Sequence, residues 1–561
     1  MTVVNLRQDP IEFFGCNAVI VEALGPPPPR RSQAVAEGRI RDEIAQQKSP
    51  VAACGLVSRI GPALLETGRF LKCLAGRAAG VNRLWLALGV LALAAGAALR
   101  LYYLFEPIRY DEAYTWLNYS SKSPLMAMVY YNAPNNHILH SLMVTVSTWI
   151  FGSAEWSIRL PAFVAGGLLI PAVFILAHEL TGEGAAAAMA AVLTASSGYL
   201  IDYSVNARGY SMVCLFTILL LLAARQMRSV QWRSAGQVIF IVAGAAGLAT
   251  LPTMVYPLAI ATIWVLLGAD RQLQQEKRNW MPPLAVSLVL TGALALVWYA
   301  PALMVSGPDT FLGNASGKLA MSQWLAGLAD LAKHLFRLFH RDLPLPLTVG
   351  LAGMFVLGCL RLPALAASLL VLIAVMFLQR ALPFTRVFTF LLAIYLVLAA
   401  VGFGTVCGWL FSRAGNRALR WAAVSALAWL AVGTGMITVS RTPALKGETG
   451  IFPQALWAVE IIKPQLAQRE AVLSDTPVNN PLIYYGLREG IPGRLFLSRG
   501  MLDQAEYQGI WLVADRNSRG SSLRAMLEAN RLEQSPYGQP RLVAVRGSAE
   551  IYYLARKDQP E

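Results

Sequence analysis

From about Leu84 onward the chain delivers one long apolar run after another, and this constrains its fold more than any other feature. The first, about Leu84 to Phe105, matches the roughly 20 apolar residues that cross a bilayer as a helix. Further runs of spanning or near-spanning length fall near 157–178, 184–203, 209–224, 234–250, 253–268, 281–304, 346–360, 362–380, 386–411 and 417–438. Lipid offers no partner to backbone N–H and C=O groups, so each run must bond internally as a helix. Only 14% of the 561 residues are charged, against roughly 25% in soluble domains. The sequence therefore predicts a polytopic α-helical membrane protein with about eleven transmembrane helices. The first run lies too far along the chain for an ordinary signal peptide and reads as a retained helix. Residues 1–80 carry a Pro26 to Pro29 run, Arg30-Arg31 and only short apolar stretches, and read as a flexible cytoplasmic extension.

The formal net charge is +15. In a membrane protein such an excess of Lys and Arg sets orientation through cytoplasmic loops, and it argues for no nucleic-acid partner. Four basic clusters are candidates: Lys72, Arg77 and Arg83; Arg225, Arg228 and Arg233; Arg271, Lys277 and Arg278; Arg413, Arg417 and Arg420. His137 to Gly152 is apolar but short for a crossing. If it crosses, the clusters fall on different sides. If it lies along the outer surface, all four are cytoplasmic, and that is the expected arrangement. The outer face then holds Asp111-Glu112, the Asp202 to Tyr210 turn, the 305–344 loop, the Gln379 to Arg386 turn and the C-terminal segment. The six cysteines are scattered without a CxxC pair, so they suggest neither a zinc site nor a disulfide framework.

Asp111 and Glu112 are adjacent carboxylates at the end of a span, where hydration is lost, which points to chemistry or ligand binding. The bland alternative is that they cap a helix beginning near Ala113. Around them stand Arg109-Tyr110-Asp111-Glu112-Ala113-Tyr114-Thr115-Trp116, then Ala133 to His140 (APNNHILH), Ala154 to Gly166 (AEWSIRLPAFVAG) and Asp202 to Ser211 (DYSVNARGYS). In that order these motifs resemble the family 39/83 membrane glycosyltransferases of the GT-C superfamily, which includes protein O-mannosyltransferases and aminoarabinose or galacturonic acid transferases acting on lipid A.

The resemblance implies transfer of a sugar from a polyprenyl-phosphate donor to a lipid, glycan or protein acceptor of the cell envelope, usually with inversion. It makes Asp111 the general base on the acceptor hydroxyl, or the group that orients it, and Glu112 its support or a second acceptor-binding group. It implies a multi-pass inner-membrane protein with a cytoplasmic N-terminus and a C-terminal domain that is periplasmic or extracellular. A leaving lipid phosphate needs fixed cations, and Arg208, in Ala207-Arg208-Gly209-Tyr210, matches the family's Arg-x-Tyr pattern. Asn206 stands where many relatives carry an acidic residue.

Arg380 and Arg386 are second candidates for the phosphate, with snorkelling to headgroups as their alternative. In the 305–344 loop, Leu331, Leu335, Leu338 and Phe339 share a helical face, with Lys333, Arg337 and Arg341 on another, so an amphipathic helix could present cations to the carrier. His334 and His340 there make a poor metal site. No cofactor is required, although a weakly held divalent ion could bridge phosphate and Asp111. Asn135, Asn136, His137 and His140 offer amides and imidazoles to sugar hydroxyls, or an asparagine simply caps the next helix. Tyr110, with Tyr114, Trp116, Tyr119, Tyr130 and Tyr131, belongs to an aromatic set that serves as interfacial belt or sugar-stacking surface, and Tyr210 is a further candidate for acceptor or sugar binding.

Residues 81–440 form the expected GT-C domain, and 441–561 a small α/β domain on the outer face, with strands at Ala471 to Leu473, Ile510 to Val513, Leu542 to Val545 and Ile551 to Leu554. A secondary transporter or lipid flippase using the carboxylates for coupling is the competing reading. The absence of obvious inverted repeats and the gathering of charge at span ends weigh against it.

Overall fold

A computed structural model describes residues 51–132, 135–229, 231–268, 280–307, 319–380, 382–414, 423, 433, 450–498, 500–502, 507–532 and 535–557. The helices, in order, are α1 Val51–Ala79, α2 Arg83–Leu104, α3 Tyr110–Thr115, α4 Pro124–Val129, α5 Ile138–Phe151, α6 Glu155–Thr181, α7 Gly184–Ser196, α8 Gly198–Ser204, α9 Tyr210–Met227, α10 Arg233–Thr250, α11 Val255–Leu267 and α12 Met281–Ser306. They continue as α13 Met321–His340, α14 Leu345–Arg361, α15 Pro363–Ser368, α16 Val371–Gln379, α17 Thr389–Ala414, α18 Ala455–Ile462, α19 Asn479–Arg488 and α20 Leu523–Ala529.

Among the described residues, 6 helices are long and apolar enough to cross a membrane singly, or up to 8 if two bent pairs each count as one span. Three shorter apolar helices accompany them. Each expected run from 84 to 411 is helical, and the run at 417–438 lies outside the described residues. The lipid-facing surface is plain on α12, where Val289, Val297 and Met304 are exposed. The pair α7 and α8 bends by 63°. Fully buried Arg100 of α2 donates to the carbonyls of Thr194 and Ala195 at that break and to Ser204 Oγ, so backbone groups near the bend keep partners away from water.

Where the sequence reading expects a flexible extension over 1–80, residues 51–79 form the 29-residue helix α1. Its Phe70 and Leu74 are buried, and Glu66 accepts a hydrogen bond from the Ala235 N–H at the start of α10. An apolar helical face with a groove to fill docks instead of remaining mobile. Residues 1–50 lie outside the described set.

The parity problem at 137–152 has a geometric answer. The His137 ring accepts the Gly209 N–H at the start of α9, and Phe151 packs 5.4 Å from Trp156 at the start of α6. Both ends of α5 therefore touch the same end of the bundle, and the helix lies across that end. Arg77, which pairs with Glu179 at 2.9 Å, and Arg228, which bonds the Val265 carbonyl, sit at the opposite end. The clusters around Arg271 and Arg417 lie outside the described residues.

The C-terminal region is built on a five-stranded sheet, β1 Glu470–Leu473, β2 Phe496–Leu497, β3 Gly509–Asp515, β4 Arg541–Arg546 and β5 Ala549–Ala555. Their spatial order is β2-β1-β3-β5-β4, with β2, β1 and β3 parallel and β5 and β4 antiparallel. All four expected strands are present, and β1 and β3 are buried along their whole length. Ile108, Ala113, Ile158 and Ala207 of the helical part share one apolar cluster with Phe452, Tyr484 and Trp511. Arg488 pairs with Glu155 at 3.0 Å, and Tyr485 accepts the Ile108 N–H at 3.1 Å. The sheet domain is thus seated on the end of the bundle that carries Asp111.

Candidate active site

Chain direction changes sharply after α2. Pro107 follows the helix end, and Arg109 in extended conformation opens the short helix α3. Glu112, at its third position, reaches back so that its Oε2 accepts the Arg109 N–H at 2.8 Å, as in a capping box. Arg159 completes the fixture. Its guanidinium donates to both Glu112 oxygens at 2.8 and 2.7 Å and to the carbonyls of Leu104, Glu106 and Pro107. The Ala207 N–H adds a bond to Glu112 at 2.7 Å. Burial alone would raise the Glu112 pKa, but Arg159, Arg109 and these donors hold it below the ordinary carboxylate range.

Glu112 therefore has no oxygen left for an acceptor, and its expected supporting role gives way to a structural one. Arg159 and the Arg109–Asp202 ion pair at 2.7 Å escaped the sequence reading. A lone arginine between Ile158 and Leu160 in a spanning run was the available signal, because such a charge demands a partner.

Asp111 is turned about 100° around the helix from Glu112 and keeps a partly exposed carboxylate. Its Oδ2 lies 3.1 Å from Arg386 Nη1 and 4.0 Å from Arg208 Nη1. Arg208 is buried, donates to Asn135 Oδ1 and lies 5.8 Å over the Tyr210 ring. His137 stands edge-on to Tyr210 at 5.2 Å. Asp111, Asn135, His137, Arg208, Tyr210 and Arg386 thus converge from four separate stretches of sequence.

Other expected members fall elsewhere. Asn136 spends its amide on the Ala127 and Tyr130 carbonyls and its oxygen on Ser141, which fixes the loop and leaves nothing for a sugar. Tyr110 meets Thr476 and Gly450 of the sheet domain. The amphipathic helix exists as α13, with Leu331, Leu335, Leu338 and Phe339 against the core. Lys333 and Arg337 point to its exposed side, Lys333 paired with Asp330, and no contact joins them to Asp111 among the described residues. The Arg380 side chain is exposed as well; its carbonyl accepts the Leu319 N–H.

His140 is fully buried one turn after His137, and neither ring nitrogen has a partner among the described residues. Burial, aided by Arg208, pushes its pKa down to about 3. The unfolded chain, at about 6.5, takes up the proton first, so this stability contribution is complete above pH 6.5 and is lost as pH falls toward 3. Thermal unfolding in detergent should show the wild type losing stability between pH 7 and 4 more steeply than His140→Leu; equal slopes would contradict the buried neutral imidazole.

Residues 134–301 match the family described as dolichyl-phosphate-mannose-protein mannosyltransferase. The structure superposes on apo ArnT from Cupriavidus metallidurans with a TM-score of 0.56 at 15% identity, covering 83% of this chain and 97% of that one. ArnT bound to undecaprenyl phosphate gives 0.55 at 16% identity over the same shares. The fold is that of the GT-C membrane glycosyltransferases. The Archaeoglobus fulgidus oligosaccharyltransferase, a second GT-C structure, gives 0.50 at 13% identity, with 83% of this chain and 72% of that one covered. No curated protein matches the sequence significantly. Within the GT-C frame, Asp111 and its two arginines occupy the bundle end opposite Arg77 and Arg228, beneath the sheet domain.

Proposed function

We propose that this GT-C protein transfers a sugar from a polyprenyl-phosphate carrier to an acceptor hydroxyl on the outer face of the inner membrane. One observation carries the reading: the partly exposed carboxylate of Asp111 lies 3.1 Å from the Arg386 guanidinium and 4.0 Å from that of Arg208, at one end of the bundle. Asp111 takes the proton of the acceptor hydroxyl as its oxygen attacks the anomeric carbon. The bond from that carbon to the phosphate oxygen breaks, and the phosphate leaves with the electron pair. Arg208 and Arg386 neutralise the charge that develops on it. A single displacement of this kind inverts the anomeric carbon. In the resting site Arg386 is held by Asp111, so an arriving donor phosphate competes for Arg386 and frees the carboxylate for the acceptor.

The bound undecaprenyl phosphate of the ArnT neighbour supports a polyprenyl donor. The basic clusters support a cytoplasmic assignment for the opposite end. Ser121→Cys, at an exposed position on the Asp111 end, should react with an impermeant thiol reagent from outside the cell. Labelling only after membrane disruption would reverse the orientation.

Arg386→Gln should weaken undecaprenyl phosphate binding roughly ten- to hundredfold, the range for a charge-assisted hydrogen bond, with the protein still folded. Unchanged affinity would remove Arg386 from the donor site. Turnover should persist in EDTA, since two guanidiniums supply the positive charge; loss restored by a divalent ion would assign a bridging metal to Asp111. A transporter would move its substrate with the sugar–phosphate bond intact, so carrier release separates the two classes.

A further inference from the structure

We propose that the Nε2–H of His137 donates a hydrogen bond to the carrier's phosphate, as a third donor beside Arg208 and Arg386. This rests on the donor assignment above. The proton position follows from backbone geometry. Gly209 caps α9, and its N–H donates to His137 Nδ1 at 2.8 Å, so Nδ1 must present its lone pair. A neutral ring then carries its proton on Nε2. Complete burial, with the charges of Arg208 and Arg386 acting on the ring, disfavours a second proton.

The ring is packed closely on two sides. It stands edge-on to Tyr210 at 5.2 Å, and a Cβ at position 209 would come within 3.1 Å of Nδ1, so glycine is what allows the close approach. Nε2 is buried and has no hydrogen-bond partner among the described residues, which leaves a donor unsatisfied in the resting site. Arg208 Nε is in the same condition. The cluster around Asp111 thus offers guanidinium and imidazole donors, and its acceptors Asp111 Oδ2 and Asn135 Oδ1 already face Arg386 and Arg208.

Such a set fits a ligand that only accepts. A phosphate oxygen meets that description, whereas a sugar hydroxyl must also donate, and the acceptors Asp111 Oδ2 and Asn135 Oδ1 are already engaged by arginines. His137 therefore belongs with the donor's phosphate and not with the sugar hydroxyls, and it contributes a fixed direction where the arginines contribute charge.

The test uses full-length protein in lipid with 15N-labelled histidine and undecaprenyl phosphate as the probe. Five histidines give few resonances, and His137→Gln identifies those of His137 by their loss. The expected spectrum is the neutral tautomer protonated at Nε2, and added undecaprenyl phosphate should shift the Nε2 resonance far more than that of Nδ1. Affinity should fall about tenfold in His137→Phe and recover in part in His137→Gln, whose amide can donate from a similar position. Binding of undecaprenyl phosphate with an unmoved His137 spectrum, or with wild-type affinity in His137→Phe, would overturn this inference alone. No binding to the wild type would overturn the donor assignment and this inference with it.

Discussion

Replacing Asp111 with Asn is expected to lower turnover by roughly 10²- to 10⁴-fold, the range for loss of a positioned general base, while the protein stays folded and still binds the carrier phosphate. Asparagine keeps the shape but cannot accept the acceptor's proton. The folding cost should be small, because the Asp111–Arg386 pair is partly exposed at 14% and 21%, and pairs of that kind contribute about 0–1 kcal/mol. Removing one negative charge also relieves the competition for Arg386, so affinity for undecaprenyl phosphate should hold or rise. Turnover within tenfold of wild type would mean that another group accepts the proton.

Its neighbour should behave in the opposite way. Glu112→Gln or Arg159→Met leaves one fully buried charge without its partner, at a cost of about 3–5 kcal/mol. A loss of that size should show as poor yield of folded protein and a large drop in melting temperature, with inactivity as its consequence. The double substitution Glu112→Gln with Arg159→Met should recover part of the loss, since no lone charge remains. Because the folded Glu112 pKa lies below its ordinary value, its contribution is complete at neutral pH and is lost only as pH falls through that lowered value. A well-folded, inactive Glu112→Gln would contradict this assignment and restore Glu112 to the chemistry.

The two adjacent acids thus carry the two readings that the sequence left in competition. Glu112 is the helix cap and anchor, and Asp111 turns toward Arg208 and Arg386. Sequence spacing could not separate them, because the difference lies in which way a six-residue helix turns against Arg159, 47 positions away. The helical runs and the four main strands were legible, since apolar length and β-branched runs are local signals. So was the joining of Asp111 with Arg208 and Asn135, through motif order. Helix α1 was missed because its apolar residues are spread over a mixed-charge segment and become a face only when wound at 3.6 residues per turn. Lys333 and Arg337 were misplaced for a related reason. The apolar and basic faces of α13 were correctly read, but the direction in which the basic face points depends on how the helix lies against α17 and the turn before it. Asn136 looked like a sugar ligand because its loop contacts to Ala127, Tyr130 and Ser141 are tertiary.

The central claim is that Asp111 and its arginines form a glycosyl-transfer site fed by a lipid phosphate. The most direct measurement is mass spectrometry of the lipid fraction from proteoliposomes given undecaprenyl-phosphate-linked sugars and a cell-envelope acceptor extract. Wild-type protein should release free undecaprenyl phosphate in step with glycosylated acceptor, and Asp111→Asn should release almost none. Folded wild-type protein that releases no carrier from any such donor, or Asp111→Asn that releases it at the wild-type rate, would contradict the account.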